Sequence, residues 1–370
     1  MKDFIQEFSV CTTVGDETVF ITSENEDSLK LTQNYDNLVK KYSQEVSLLT
    51  YINTEDSLEN TIPTLISLTG KTAVFPITID CRLHDKTIEV YDFSNKTYQL
   101  PQIVVENEDT LFLAHSKSTV YDGTNIRVDR WGIDENGIFM IETSRTTYFN
   151  SLLTNRAIDF KLPQGITLRN ELFDRVYDLE ESTLSNHLGF NGWVRSSDGY
   201  YAFTKRGKKL SIGKNTYGNS VNASMKASYA LMNDDTSQGK SLTVEGIYKS
   251  ILMEIQDEMK IAPSNLEEKP TFLATYRDLV EGGKPQLLFH IQCGMTKDEI
   301  NNNFYKELGS HDEEEMIVDG REFMWIHESM LENLYITADS MTLGSVKYIM
   351  TPSAAAGVVM LIEYLNSGRG

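Results

Sequence analysis

The first 150 or so residues carry short apolar and β-branched runs separated by turn residues. Val, Ile, Thr, Phe and Tyr dominate these runs, and Asp, Asn and Gly fill the gaps, a pattern typical of strands. One interval, residues 26–52, has apolar positions at helical spacing and predicts a helix. This part of the chain is therefore predicted to be β-rich, and its predicted strands are "TVFIT", "KTAVFPITIDCRL", "KTIEVYDF", "QIVVE", "TLFLAHS", "NIRVDRWGI" and "GIFMIET".

From about residue 145 helical and strand patterns alternate. Thr167 is placed to cap a helical pattern that follows a turn signal at Pro163, and a polar loop runs from 207 to 243. Mixed strands with helices on both sides predict an α/β or α+β sandwich. The predicted elements are a helix over 167–181, a hairpin over 188–206, a helix from 244 to about 260, strands over 270–279 and 285–293, a helix over 296–308, a strand over 322–327 and a final helix near 353–366.

The predicted helix that begins at residue 244 carries acids beside its apolar stripe. At about 100° per residue, Glu254, Asp257 and Glu258 flank one side of the stripe, so we expect them at the rim of a cleft. Carboxylates four residues apart repel each other, and a hard cation such as Mg²⁺ or Mn²⁺ would offset that repulsion. The alternative is a solvated face in a very acidic protein. The stripe consists of Val244, Tyr248, Ile251, Leu252, Ile255 and Met259.

The same stretch resembles the Nudix box, which reads Gly, five residues, Glu, seven residues, then Arg-Glu-aliphatic-any-Glu-Glu-any-Gly-aliphatic. The positions in register here are Gly239, Glu245, Glu254, Asp257 and Glu258. Three positions depart from it, with Met253 for Arg, Asp257 for Glu and Lys260 for Gly. The order of elements over residues 146–370 also looks like the Nudix fold, an α/β/α sandwich around a mixed sheet. A β-rich domain of unknown role would precede it over residues 1–145.

The resemblance implies a metal-dependent hydrolase that cleaves a nucleoside diphosphate linked to another group, with Mg²⁺ or Mn²⁺ as the cofactor. It gives metal-ligand roles to Glu254, Asp257, Glu258 and the backbone of Gly239. It gives catalytic roles to Glu258, Glu254 and Glu245. The identity of the general base is left open: Glu258 is one candidate, and the later loop offers Glu313, Glu314 and Glu315, which otherwise form a solvated loop. The departures favour an alternative, a catalytically weak or inactive Nudix-fold protein that binds a nucleotide or nucleotide sugar as a sensor. A structural module with solvated acids is the third reading.

The net charge of the chain limits the kinds of partner that it is expected to bind. The chain has 34 basic and 54 acidic residues, a formal charge of −20, which argues against nucleic acid or an anionic membrane as partner. The partner that the Nudix resemblance implies is a small-molecule nucleotide. One basic group stands out, and it is predicted either to bind substrate phosphates or to be a solvated hairpin tip. With no secretory signal and no apolar run of membrane length, a cytoplasmic location is expected. The oligomeric state is left open, a homodimer included. The basic group consists of Lys205, Arg206, Lys208 and Lys209.

Overall fold

The structure, a computed structural model, describes residues 9–14, 17–22, 31–42, 48–53, 71–115, 119–163, 165–207, 215–233, 240–308 and 322–369. Its strands are β1 Ser9–Val14, β2 Glu17–Thr22, β3 Leu48–Asn53, β4 Lys71–Arg82, β5 Ile88–Thr97, β6 Thr119–Asp122, β7 Thr124–Ile133, β8 Phe139–Thr147, β9 Gly189–Arg195, β10 Tyr200–Lys205, β11 Tyr217–Gly218, β12 Val221–Ser224, β13 Leu231–Asn233, β14 Lys240–Leu242, β15 Thr271–Asp278, β16 Lys284–Gln292, β17 Glu322–His327, β18 Tyr335–Thr337, β19 Ser340–Leu343 and β20 Val346–Ile349. Its α-helices are α1 Tyr35–Tyr42, α2 Gln102–Glu106, α3 Glu108–Phe112, α4 Tyr148–Leu153, α5 Leu168–Leu172, α6 Ala227–Ala230, α7 Val244–Met259, α8 Lys297–Leu308 and α9 Pro352–Tyr364.

A nine-stranded mixed sheet organises the described residues. Its strand order is β11-β10-β9-β16-β15-β4-β3, with β12 also paired to β9 and β17 to β10. Strands β9 and β16 run parallel, whereas β15 is antiparallel to both of its neighbours, β16 and β4. Four smaller sheets surround this one, and they are β1-β2-β6, β5-β8-β7, β13-β14 and β18-β19-β20.

Alternating side chains give the large sheet two apolar faces, because neighbouring residues of a strand point to opposite sides. One face packs against α7, and its buried residues include Phe190, Val194, Leu287, Phe289, Ile247, Ile251, Ile255 and Met259. The other packs against α9, and its buried residues include Trp193, Tyr201, Leu288, Ala355, Val358, Val359 and Leu361. Helices therefore cover both faces of a mixed sheet, which confirms the α/β (α+β) class.

Strands from both halves of the sequence share this sheet. Strand β4 pairs with β15 along Ala274–Asp278, and β3 continues the sheet beyond β4. A third apolar core brings residues 148–184 together with α1 to α3 and the turn after β15. The boundary near residue 145 thus separates segments that hydrogen-bond to one another, and the division into domains 1–145 and 146–370 stays a prediction.

Several elements differ from the sequence prediction. The runs "QIVVE" and "TLFLAHS" are helical, as α2 and as α3 with a 3₁₀ turn to His115. Such short apolar runs have no period of their own, and Val104, Leu111 and Phe112 bury into the third core. Of the helix expected over 26–52, the described residues 31–42 and 48–52 contain α1 and the start of strand β3. The helix expected over 167–181 is α5 alone.

The helices that bear on the candidate site agree closely with the prediction. Helix α7 spans Val244–Met259 and α8 spans Lys297–Leu308, so both predictions are confirmed. Both are long enough to show a clear amphipathic period. In the described part of the chain, no helix combines the length and the apolar character that a bilayer crossing requires.

Candidate functional site

Helix α7 has well-defined ends. Thr243 caps it by accepting a hydrogen bond from the Gly246 amide at 3.1 Å. The helix ends at Lys260, whose backbone is left-handed with φ 58° and whose amide donates to the Gln256 carbonyl at 3.0 Å. A left-handed residue other than glycine costs roughly 1–2 kcal/mol. Lys260 therefore keeps the backbone shape that the Nudix pattern assigns to a glycine.

The buried face of α7 contains a row of small and acidic residues as well as the apolar stripe. Gly246, Ser250, Glu254 and Glu258 follow one another at intervals of four, and Glu254 is only 3% exposed. Glu254 was expected at the rim of the buried face, and it lies inside that face. Small residues at 246 and 250 allow neighbouring chain to approach closely: a Cβ at position 246 would overlap the carbonyl oxygen of Ala230.

The segment that packs against this row runs from β12 through α6, in the direction opposite to α7. The backbone amide of Asn222 donates to Glu258 Oε2 at 3.2 Å. Lys226 Nζ lies 3.1 Å from Glu254 Oε1, and Ala230 meets Gly246. Residues 222, 226 and 230 of the segment therefore contact residues 258, 254 and 246 of the helix, respectively.

The third acid has a different neighbour. Tyr229 donates its hydroxyl hydrogen bond to Asp257 Oδ2 at 2.6 Å, and Lys226 Nζ lies 5.1 Å from the centroid of the Tyr229 ring. Burial and then the hydrogen bond to Asp257 raise the pKa of Tyr229 to about 12. The phenol therefore stays protonated near neutral pH and keeps its proton for Asp257.

These contacts bear on whether the acids fit a divalent cation. Glu254 faces an ammonium, Glu258 a backbone amide and Asp257 a phenol, and each donor belongs to the protein itself. Among the described residues, no three or more His, Cys, Asp or Glu side chains are grouped closely enough to hold a metal. As placed, the acids do not form a ready-made Mg²⁺ or Mn²⁺ site, and their metal roles stay predictions.

The remaining predicted site residues are spread out. Glu245 is exposed in the first turn of α7, about 13 Å along the helix from Glu254 at 1.5 Å per residue. Two other groups lie outside the described residues, namely Gly239 with Lys208 and Lys209, and the loop acids Glu313, Glu314 and Glu315. Their roles stay predictions.

Of the predicted phosphate-binding cations, Arg206 lies against Gly218. Gly218 separates Arg206 from Asn222: a Cβ at 218 would lie 3.0 Å from Asn222 Nδ2 and 3.8 Å from Arg206 Cδ. Asn222 is the residue whose amide holds Glu258. The preceding residue, Lys205, instead reaches Glu322 Oε2 at 3.3 Å on the neighbouring strand.

Sequence reasoning missed a buried group of charges at the turn between β15 and β16. Glu281 Oε2 lies 3.4 Å from Arg156 Nε and 3.6 Å from Lys284 Nζ. Burial, aided by the charge of Glu281, raises the pKa of Asp278 to about 7, and burial lowers that of Lys284 to about 8. Burial opposes ionisation of Glu281, but Lys284, Arg156 and Arg206 outweigh it and lower its pKa. A Gly-Gly turn flanked by an acid and a lysine was the available signal.

A second group of buried charges connects the N-terminal strands to the start of α7. Arg145 on β8 binds both oxygens of Asp92 on β5 at 2.6 Å, and Asp92 Oδ2 also accepts the Leu242 amide at 2.9 Å. Burial would raise the pKa of Asp92, but its hydrogen bonds, led by those from Arg145, lower it. Leu242 directly precedes the helix cap Thr243, so the N-terminal strands fix the entry to α7.

Comparisons with known proteins give little further guidance. No protein-family model matches the chain, and no curated protein matches it. Among solved structures, the chain is similar to DR0079 from Deinococcus radiodurans, with 16% sequence identity and a TM-score of 0.25 over 40% of this chain and 71% of that one. A likeness at this level carries no argument about fold or function.

Proposed function

We propose that this chain is a Nudix-type protein that binds a nucleoside diphosphate linked to a second group, such as a nucleotide sugar, beside α7. The observation that carries the proposal is that Arg206 and Asn222, the residue whose amide holds Glu258, both lie against Gly218. In a chain with a formal charge of −20, the guanidinium of Arg206 would offset the repulsion between the acids and a diphosphate bound near Gly218. Arginine also binds phosphate oxygens through two parallel hydrogen bonds.

The proposed role is that of a binding or sensor protein. Each of the three box acids already interacts with a donor of the protein, and the buried Glu254 faces an ammonium. Water activation by a bound cation would require these contacts to be replaced.

A metal-dependent hydrolase is the second candidate. Glu254 and Glu258 lie in one row of α7 and face the same segment of chain, Asn222 and Lys226. A pair of carboxylates that share a neighbourhood is what the hydrolase reading needs. When bound, Mg²⁺ or Mn²⁺ would polarise the phosphoryl oxygens and activate water.

Binding can be tested with two neighbouring variants of the full-length chain. Calorimetric titration with a panel of nucleotide sugars and dinucleoside diphosphates would identify a ligand, and Arg206→Gln should then weaken Kd about 10- to 100-fold, the loss of a charged hydrogen bond. Lys205→Gln removes the same charge one residue away, where Glu322 is the partner, and should change Kd by less than about threefold.

The same two variants can also contradict the proposed binding site. Equal effects of Arg206→Gln and Lys205→Gln, or no binding across the panel, would contradict the proposed site. Incubation of the same compounds with Mg²⁺ and with Mn²⁺ decides the second candidate. Turnover that Glu258→Gln abolishes would make the protein a hydrolase.

A further inference from the structure

We propose that Lys226 is the resident counter-cation of the box and takes the place at Glu254 that the Nudix pattern gives to a divalent cation. The inference rests on the Nudix-type reading of α7 proposed above. It implies that ligand binding needs no divalent cation at Glu254. It also implies that Lys226 decides whether this helix binds metal.

The geometry of the pair supports a built-in cation. Lys226 Nζ lies 3.1 Å from Glu254 Oε1, and the two side chains are 22% and 3% exposed. Glu254 lies in the buried face of α7, where an ionised carboxylate needs a counter-charge. The Tyr229 ring lies 5.1 Å from the ammonium and adds a cation–π contact. The carboxylate of the pair is therefore buried and its lysine is half-buried, which distinguishes it from a fully exposed ion pair.

The backbone of Lys226 is also fixed. Its carbonyl accepts the amides of Tyr229 at 3.2 Å and Ala230 at 3.0 Å, and it forms an isolated bridge with Asn125 on β7. The preceding residue, Met225, donates to the Leu188 carbonyl at 2.9 Å. The anchored backbone keeps the stem of Lys226 beside α7, within reach of Glu254.

The register of the segment explains why the lysine meets this acid. Asn222 meets Glu258 and Lys226 meets Glu254, so the segment presents an amide and then an ammonium to successive carboxylates of the row. A divalent cation at Glu254 would approach Lys226 and be repelled by it. With the lysine side chain shortened to an apolar one, Glu254 would lack its counter-charge and could share a divalent cation with Glu258, one helical turn away.

Manganese alone, without nucleotide, tests the inference. Free Mn²⁺ can be followed by electron paramagnetic resonance during titration of the wild type, Glu254→Gln, Lys226→Met and the double variant. We expect the wild type and Glu254→Gln to bind Mn²⁺ alike. Lys226→Met should gain one site at least about tenfold tighter than any in the wild type, and the double variant should lose it. Lys249→Met, on the exposed side of α7, is the matched control and should gain nothing.

The outcomes separate the two proposals. A wild-type Mn²⁺ site that Glu254→Gln abolishes would overturn the role of Lys226, and so would a folded Lys226→Met that gains no site. If Lys226→Met does not fold, the comparison of wild type with Glu254→Gln still decides. Because the titration contains no nucleotide, failure of nucleotide binding through Arg206 leaves its result unchanged.

Discussion

Arg145→Met tests whether the N-terminal strands hold the entry to α7. The side chains of Arg145 and Asp92 are 9% and 3% exposed, and the guanidinium binds both carboxylate oxygens at 2.6 Å. Methionine fills most of the volume but removes the charge. Asp92 would then remain buried as an anion and keep its hydrogen bonds from the Thr143 hydroxyl at 2.7 Å and the Leu242 amide at 2.9 Å.

The expected loss is large because one charge of a buried pair stays behind. Such truncations cost about 3–5 kcal/mol. The two hydrogen bonds that Asp92 retains place this case near the lower end, about 3 kcal/mol. The matched control is Arg130→Met on β7 of the same small sheet, where the partner Glu142 is 3.9 Å away and the arginine side chain is 61% exposed. An exposed pair of this kind contributes about 0–1 kcal/mol.

Urea unfolding followed by tryptophan fluorescence would give both free-energy changes. Hydrogen exchange of peptides covering residues 240–246 adds a local measurement, since Leu242 donates its amide to Asp92. We expect faster exchange there in Arg145→Met than in Arg130→Met. If the two variants lose equal stability and exchange alike at the helix entry, the reasoning is refuted.

The pKa of Asp278 in the folded chain is about 7, above its ordinary 3.8. Between these two pH values the folded chain keeps a proton on Asp278 that the unfolded chain has lost. The contribution of Asp278 to the free energy of unfolding should therefore fall as pH rises from about 4 to about 7. Asp278→Asn should remove that part of the slope in urea midpoints measured across this range; an unchanged slope would contradict it. Gly246→Ala should destabilise by about 1–3 kcal/mol because its Cβ meets the Ala230 carbonyl, whereas Gly132→Ala, with open space around it, should not; equal melting temperatures would contradict the contact. A fragment of residues 146–370 lacks β4, the partner of β15, and should have a lower urea midpoint of unfolding than the full chain. An equal midpoint would show that the fragment is an independent domain.

The amphipathic elements could be predicted from the sequence, whereas the short ones could not. Helix α7 has sixteen residues and shows its period plainly. Helices α2 and α3 have five residues each, too few to distinguish a buried helix from a strand, and their apolar residues take their conformation from the third core. Phe173 directly follows α5, and its ring packs 5.3 Å from that of Tyr42, a contact between distant parts of the chain.

The candidate site could be predicted only in part, for a similar reason. The spacing of Glu254 and Glu258 correctly predicts that both acids lie on one side of α7. The apolar stripe does not include the small residues Gly246 and Ser250, which are buried on that same side. Lys226 lies between β12 and α6, and no local sequence pattern predicts that its ammonium pairs with Glu254 on α7. Long-range ion pairs depend on how segments pack, which the period of one helix does not encode.

The place of β4 in the large sheet has a consequence for how the chain is made. Its partner β15 follows it by roughly 190 residues, from Arg82 to Thr271, which at about 5–20 residues per second takes the ribosome about 10–40 s. During that interval Phe75 and Ile77, fully buried in the finished fold, lack one side of their sheet. An apolar strand with an open edge pairs readily with other nascent chains. The order of synthesis therefore gives the newly made protein an aggregation risk that the stability of the completed sheet cannot remove.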